Sequence, residues 1–172
     1  HNRGKVLAGS IHLDTIAAAA PVAEKEIVFF SEGYEGEFRV DLNDLSAGEN
    51  ENATLLLVKG IVAGLQEQGY VAGGFHAYIT TNVLSASGLS SSASFEMLIA
   101  SILNTMYNDG KLDAVTISKI GRYAENRYWN KPSGLLDQMS CAYGGLVAID
   151  FADPQQPVVE AVSYDFYAKG YS

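Results

Sequence analysis

The segment at residues 75–106 restricts the fold of this chain more than any other part of its sequence. It begins with FHAYITTNV, which alternates polar and apolar residues and is rich in β-forming side chains, so a strand is predicted there. The small-residue stretch SGLSSSASFE follows from Ser87, and it leads into apolar residues with helical spacing. Those apolar positions are Phe95, Leu98, Ile99, Ile102, Leu103 and Met106. A strand, a small-residue loop and a buried helix are therefore predicted in direct succession.

The rest of the chain predicts further strands and helices. Stretches rich in Val, Ile, Ala, Thr and Phe predict strands at residues 5–13, 15–22, 26–31 and 37–42, with the third strand as the hairpin partner of the second. Helices are predicted at residues 52–68, 113–128 and 135–142, a strand at 146–151, and another strand in the closing segment 162–172. This order of elements indicates an α+β or α/β architecture in one domain.

Length and composition limit the classes of protein to which the chain can belong. Its 172 residues suffice for one domain with its own core. The sequence shows no apolar run long enough to span a membrane and no basic-then-apolar leader, so neither a membrane span nor a secretory signal is predicted. The single cysteine, Cys141, cannot form an internal disulfide and is interpreted as a small buried apolar residue. A cytoplasmic protein without a membrane partner is expected.

The charge of the chain restricts its ligands. Eleven basic residues against twenty acidic ones give a net charge of -9, and no cluster of Lys or Arg interrupts the acidity. Binding to nucleic acid is therefore not expected. An acidic chain that binds an anion has to do so locally, through backbone N–H groups, a helix dipole or a divalent metal.

The serine run at Ser90–Ser92 offers such a local anion site. The start of a buried helix presents unpaired backbone N–H groups, and small side chains allow a phosphate to approach them. Gly88 permits backbone torsions that other residues avoid, and serine hydroxyls can cap N–H groups, bind phosphate oxygens or ligate Mg²⁺. The alternative is that the serines only cap a core helix, a task for which one serine would suffice. No Walker motif or strand-linked GxGxxG motif is present.

Two motifs carry a resemblance to a known family. GLSSSAS at Gly88 resembles the central phosphate-binding motif of the GHMP kinases, and its continuation into Phe-Glu is similar to the form found in galactokinases. AENRYWNKPSGLLDQ at Ala124 resembles the galactokinase segment that carries a catalytic aspartate, and AYGGLVAIDF after it also fits. The opening HNRGKVLAGSIHLDT resembles the stretch just after the family's sugar-binding signature. The chain departs from the family at Leu84 and Ala86, where Pro and Gly are usual.

The resemblance implies roles for individual residues. It makes Asp137 the catalytic carboxylate, which would orient the sugar hydroxyl and accept its proton, and it makes Gly134 and Asp137 sugar-binding residues. It implies that Mg²⁺ is held by Glu125 and by a serine of the loop, Ser92 or Ser91. It also implies that the phosphates of ATP contact the loop residues Ser87, Gly88, Leu89, Ser90, Ser91, Ser92 and Ala93.

Each of these positions also has a simpler interpretation. Glu125 could be an ordinary helix glutamate, Asp137 an N-terminal helix aspartate stabilised by the dipole, and Gly134 a plain turn glycine. The aromatic pair Tyr128 and Trp129 could line a sugar site, although such a pair at a helix end more often belongs to the core.

The fold implied by the resemblance is α+β, with a mixed β-sheet packed against helices, as in the GHMP kinase N-terminal domain (ribosomal protein S5 domain 2-like). Residues 1–172 would be that domain, truncated at both ends, with the C-terminal GHMP domain as the missing partner in the same protein. The implied function is an ATP- and Mg²⁺-dependent kinase that makes the 1-phosphate of galactose or a related hexose, and the 172 residues alone are expected to be inactive.

Three alternatives stay open at this stage. The protein could be a kinase for another hexose or an N-acetylhexosamine, a sugar- and ATP-binding sensor without turnover, or a structural domain that binds no ligand.

Overall fold

A computed structural model of the protein describes residues 3–85 and 87–170. Within these residues the chain forms two β-sheets and four α-helices, an α+β arrangement as predicted. No helix in the described ranges combines the length and the apolar composition that crossing a bilayer requires.

The larger sheet has four strands, and its order differs from the prediction. We number the strands β1 (Lys5–Gly9), β2 (Thr15–Pro21), β3 (Glu26–Ser31), β4 (Phe38–Asp41) and β5 (Phe75–Thr81), and the order in this sheet is β2-β5-β3-β4. The β3–β5 pair is parallel and the other two pairs are antiparallel, so the predicted mixed sheet is confirmed.

The predicted hairpin between the second and third strands is wrong, because β5 lies between them. The hairpin partner of β3 is β4. The chain enters β5 at Gly74, where a Cβ atom would lie 2.1 Å from the carbonyl oxygen of Glu24 and 2.6 Å from that of Glu26. A glycine at this position therefore lets β5 pass against the backbone that connects β2 to β3, and no local signal in that connection reveals the insertion.

The smaller sheet is antiparallel and has the order β1-β6-β7, where β6 is Leu146–Asp150 and β7 is Val158–Ala161. β1 pairs with β6 along its whole length, from Lys5 opposite Asp150 to Gly9 opposite Leu146. The strand predicted at residues 162–172 is wrong: the last strand ends at Ala161, and Tyr167–Lys169 forms a 3₁₀ helix. Asp165 accepts a hydrogen bond from the backbone N–H of Ala168, which favours this turn over an extended chain. Residues 171 and 172 lie outside the described ranges.

The four helices are α1 (Ala53–Glu67), α2 (Ser91–Tyr107), α3 (Ala114–Arg127) and α4 (Leu136–Tyr143). The predicted helices are thus confirmed to within a few residues. Asn52 caps α1 through the N–H of Thr54, and Asp113 caps α3 through the N–H of Thr116, both at 2.8 Å.

The main core lies between the four-stranded sheet and helices α1, α2 and α3. A second, smaller cluster joins α4 to the three-stranded sheet through Leu135, Met139, Val147, Ile149 and Phe151. Helices α2, α3 and α4 contact one another, so they place the start of α2 beside the start of α4 and the end of α3.

The close contact between α1 and α3 gives a testable prediction. A Cβ atom on Gly60 would lie 2.7 Å from both Cα and Cβ of Ala124, the residue before Glu125. We expect Gly60→Ala to lower the free energy of unfolding by about 1–3 kcal/mol through overpacking, even though alanine is the better helix former by about 1 kcal/mol. Chemical denaturation measures the change.

Gly64, one turn further along α1, provides the matched control. Its Cβ atom would meet only side-chain atoms of Tyr123 and Ile120, at 3.2 and 3.3 Å. Gly64→Ala should therefore change the stability by less than about 1 kcal/mol. Equal stability of the two variants would contradict the packing argument.

Candidate active site

Helix α2 begins without a side-chain cap. Its N-cap residue, Ser90, has φ 58° and ψ 44°, in the left-handed region, and its hydroxyl does not cap the helix. The first helical bond runs from the N–H of Ser94 to the carbonyl of Ser90 at 3.1 Å. The N–H groups of Ser91, Ser92 and Ala93 therefore have no acceptor within the helix. The interpretation of the serine run as a simple cap is wrong for Ser90.

The hydroxyl of Ser90 instead contacts Asp137. Its Oγ donates a hydrogen bond to Oδ2 of Asp137 at 2.7 Å. Asp137 lies in the first turn of α4 and is exposed, so its carboxylate is accessible from solvent. The start of α2 and the carboxylate at position 137, which are 47 residues apart in the sequence, meet on the same side of the molecule.

A second contact joins α2 to the end of α3. Oγ of Ser92 donates to Oε1 of Glu125 at 3.0 Å, and the ammonium of Lys131 forms an ion pair with the same Oε1 and donates to Oγ of Ser92 at 3.2 Å. Glu125 is buried, with 1% of its surface exposed. Burial opposes its ionisation, but hydrogen bonds from Lys131, Ser133 and Ser92 outweigh that effect and hold the pKa of Glu125 below its ordinary value.

The donor atoms of Ser92 and Glu125 fit a magnesium ion. Both are oxygens, and Glu125 is ionised, as Mg²⁺ prefers. Adjacent ligands of an octahedral Mg²⁺ are about 2.9 Å apart, and these two oxygens are 3.0 Å apart. The described residues contain no group of three or more His, Cys, Asp or Glu side chains that could hold a metal.

The buried side chains of Gln138 and Glu96 lie next to Glu125. Gln138, the residue after Asp137, donates from Nε2 to Oε2 of Glu96 and to Oε2 of Glu125, both at 3.0 Å. Glu96 is completely buried, and its Oε1 has no hydrogen-bond partner. Burial, together with the nearby charge of Glu125, raises the pKa of Glu96 to about 9, so this carboxyl is protonated at neutral pH.

Two cavities meet at the start of α2, and both are lined by Gly88 and Ser90. The larger, of about 860 Å³, contains Asp137 and opens towards β1. The smaller, of about 450 Å³, contains Lys131 and has an aromatic wall. Trp129 lines the smaller cavity and also packs against the main core, which agrees with the core role considered for it. Both volumes lie in the range of small-molecule sites.

Comparison with known proteins identifies the family. The sequence model of the GHMP kinases N terminal domain matches residues 56–145. The chain belongs to the GHMP kinases. This match includes the serine run and the segment from Glu125 to Asp137.

The relatives of this GHMP kinase chain include galactokinases. It is 38% identical to the galactokinase of Streptococcus thermophilus over 147 residues, which cover 84% of this chain and 37% of the relative. It is 31% identical to the galactokinase of Clostridium tetani over 144 residues, 84% of this chain and 36% of the relative. The crystal structure of Lactococcus lactis galactokinase complexed with galactose superposes with a TM-score of 0.83 at 28% identity and covers 95% of this chain and 43% of that one.

The GHMP kinase chain thus spans between 36% and 43% of the length of these three proteins.

The remaining predicted site residues of the GHMP kinase chain differ in their exposure and in their contacts. Ser87 donates its hydroxyl to the carbonyl of Leu84, Gly88 has a positive φ of 79°, and Leu89 is exposed. The side chain of Ala93 is buried, so only its backbone N–H can face a ligand. Gly134 is exposed and does not line either of the two cavities. Of the two departures from the family pattern, Leu84 is exposed and Ala86 lies outside the described residues.

Sequence reasoning missed three residues of this site and misplaced a fourth. The three missed residues are Glu96, Gln138 and Lys131. Two signals could have found two of them: Glu96 is a glutamate on the apolar side of α2, and Lys131 is a lysine beside Pro132 in an acidic chain. Cys141, which was expected to be buried, is exposed and lines the larger cavity, because α4 turns that side away from its core cluster.

Proposed function

We propose that the full-length protein is an ATP- and Mg²⁺-dependent kinase that phosphorylates the anomeric hydroxyl of galactose or a related hexose to give the sugar 1-phosphate and ADP. The observation that carries the proposal is the hydrogen bond between Ser90 and Asp137, which puts a carboxylate beside the uncapped start of α2. The similarity to galactokinases over most of the chain supports the choice of substrate.

The nucleotide phosphates belong at the start of α2. The free N–H groups of Ser91, Ser92 and Ala93, together with the positive end of the helix dipole, stabilise anions there without a cluster of basic residues. The smaller cavity extends from these N–H groups to the aromatic wall at Trp129 and Phe95, which suits a nucleoside. Ser87, Gly88 and Leu89 would contribute the exposed rim of this site.

The sugar belongs in the larger cavity, against Asp137. In the structure Oδ2 of Asp137 accepts a hydrogen bond from the hydroxyl of Ser90, and an anomeric hydroxyl would use the same acceptor. Asp137 would then orient the sugar oxygen towards the γ-phosphoryl group and accept its proton as the new P–O bond forms. Gly134 precedes the same helix turn but lines neither cavity, so a contact between its backbone and the sugar rests on the resemblance to the GHMP kinases alone.

Ser92 and Glu125 would hold the magnesium ion. When bound, Mg²⁺ supplies charge neutralisation at the β- and γ-phosphate oxygens. The ionised Glu125 contributes the only carboxylate of this pair, and the bond from Gln138 fixes its second oxygen. This arrangement orients Oε1 towards Ser92.

The remaining parts of the proposal concern the whole protein. Residues 1–172 would form the N-terminal domain of a two-domain kinase, with the C-terminal GHMP domain closing the other side of the cleft. We place the protein in the cytoplasm, where its single cysteine would stay reduced and ATP is available.

A coupled ADP-release assay on the full-length protein tests the function. Galactose, glucose, mannose and N-acetylgalactosamine serve as substrates, and NMR identifies the phosphorylated position of the product. We expect galactose to give the highest kcat/KM, by about tenfold or more, because a site built around particular hydroxyls discriminates strongly. If turnover favours N-acetylgalactosamine, that sugar replaces galactose as the proposed substrate. If the protein binds galactose and Mg-ATP without releasing ADP, it is a sensor and not a kinase.

A further inference from the structure

The ammonium of Lys131 lies where the magnesium ligands are. It contacts Oε1 of Glu125 and Oγ of Ser92, the same two oxygens that fit a magnesium ion. Two cations cannot share these oxygens at bonding distance, because they would repel each other strongly at such a separation. A metal ion that binds Ser92 and Glu125 must therefore displace the ammonium of Lys131.

The side-chain ammonium of Lys131 has room to move, whereas the backbone of Lys131 is held in place. The backbone N–H of Lys131 donates to the carbonyl of Glu125 at 2.9 Å, and Pro132 follows directly. The side chain of Lys131 is 42% exposed and lines the smaller cavity, 4.8 Å from the ring of Trp129. A lysine side chain can reorient its tip over several ångströms on such an anchored backbone.

The charge of the cavity indicates where the ammonium would go. Among the described residues that line the smaller cavity, Lys131 is the one that carries a charge, and Ser90, Ser91 and Ser92 are on the same wall. The chain as a whole has a net charge of -9. Nucleotide phosphates entering this cavity would find one cationic side chain within it, and lysine is a common phosphate ligand.

We propose that Lys131 is an exchangeable counter-ion of this site. In the nucleotide-free protein it neutralises Glu125. When a divalent cation takes the oxygens of Ser92 and Glu125, the ammonium of Lys131 moves to the nucleotide phosphates. The inference rests on the proposed function, since it needs a nucleotide and a metal at the start of α2. It assigns a nucleotide-binding role to a residue of the AENRYWNKPSGLLDQ segment for which the sequence analysis gave no role.

Lysine labelling of the unmodified full-length protein tests the transfer directly. The protein is acetylated briefly without ligand, with MgCl₂, and with MgCl₂ plus a non-hydrolysable ATP analogue, and the labelling of each lysine is measured by mass spectrometry. We expect MgCl₂ alone to accelerate labelling of Lys131, and the metal–nucleotide pair to slow it about tenfold relative to the free protein, because a phosphate contact holds the ammonium more strongly. Lys5 and Lys111, with 82% and 72% of their side chains exposed, are internal controls that should not change.

A pair of substitutions gives a second, independent measurement. Lys131→Met keeps the length of the side chain and removes its charge. We expect it to bind MgCl₂ alone about tenfold more tightly, because the oxygens of Glu125 and Ser92 lose their competitor, and to bind the analogue with MgCl₂ about tenfold more weakly. Lys131→Arg should keep the affinity for the analogue within about threefold, since its charge remains. Lys111→Met, a remote loss of the same charge, should change neither affinity.

The two affinities must move in opposite directions for the inference to stand. A purely structural lysine would weaken both affinities together in Lys131→Met, and that result overturns the proposal. Should Lys131→Met fail to fold, labelling of the unmodified protein decides alone. Unmodified protein that binds the analogue without any change in Lys131 labelling overturns the inference and leaves the proposed function intact. Unmodified protein that does not bind the analogue overturns both.

Discussion

Asp137→Asn should lower kcat of the proposed sugar kinase reaction by about 10²–10⁴-fold, the usual contribution of a positioned general base. Asparagine has the shape of aspartate and can still accept the hydrogen bond from Ser90. It cannot accept the proton of the sugar hydroxyl, and it does not carry the negative charge that orients that hydroxyl. The KM for Mg-ATP should change less than kcat, because the proposed nucleotide contacts lie on α2 and the end of α3. The coupled ADP-release assay measures both constants.

Asp109→Asn is the matched control for Asp137→Asn. Asp109 is exposed, lies between α2 and α3, and has a positive φ of 53°, a conformation that asparagine tolerates well. Its substitution removes the same charge at a site remote from Ser90 and should leave kcat unchanged. Turnover of Asp137→Asn within about threefold of the unmodified protein would remove proton transfer at this residue from the mechanism.

Glu96 should make the protein less stable as the pH rises. Its pKa of about 9 in the folded state lies far above the ordinary value of 4.5, because the side chain is buried and Glu125 is close. Between these two values the folded protein keeps a proton that the unfolded chain releases. The free energy of unfolding therefore falls with increasing pH, by up to about 1.4 kcal/mol per pH unit from this group. From pH 6 to pH 8 the loss should reach about 2–3 kcal/mol.

Glu96→Gln should abolish this loss, because glutamine resembles the protonated glutamate and has no proton to release. Urea denaturation at pH 6, 7 and 8 compares the slopes of the variant and the unmodified protein. Glu160→Gln, an exposed position on β7, serves as control and should keep the original slope. Parallel curves for Glu96→Gln and the unmodified protein would show that Glu96 is ionised in the folded state.

The parts of the fold that local sequence determines were predicted well. Helices α1 to α4 begin and end within a few residues of their predicted bounds, because capping residues such as Asn52 and Asp113 and the apolar spacing act within one or two turns. The start of α2 within the serine run followed from the apolar spacing, because Ser90 makes no side-chain cap there. Its proximity to position 137 followed only from the resemblance to the GHMP kinases.

The features that depend on distant parts of the chain could not be read locally. The insertion of β5 between β2 and β3 depends on the close approach of Gly74 to the connection after β2. No sequence pattern in that connection indicates the insertion. Glu96 shares the buried side of α2 with Ile99 and Leu103, and its hydrogen bond to Gln138 forms only because α4 packs against that helix. The ion pair between Lys131 and Glu125 depends on how the turn after α3 folds back, and no sequence pattern specifies it.

The pairing of β1 with β6 has a consequence for synthesis of the protein on the ribosome. In the part of the chain that the structure describes, β1 lies at one edge of its sheet and pairs with β6, so the register from Lys5 to Asp150 closes only after residue 150 has been translated. At the usual elongation rate of about 5–20 residues per second, the nascent chain carries β1 without its β6 partner for about 7–30 seconds. During that interval the N–H and C=O groups that later bond to β6 can pair with another nascent chain, which gives chaperones a reason to shield β1.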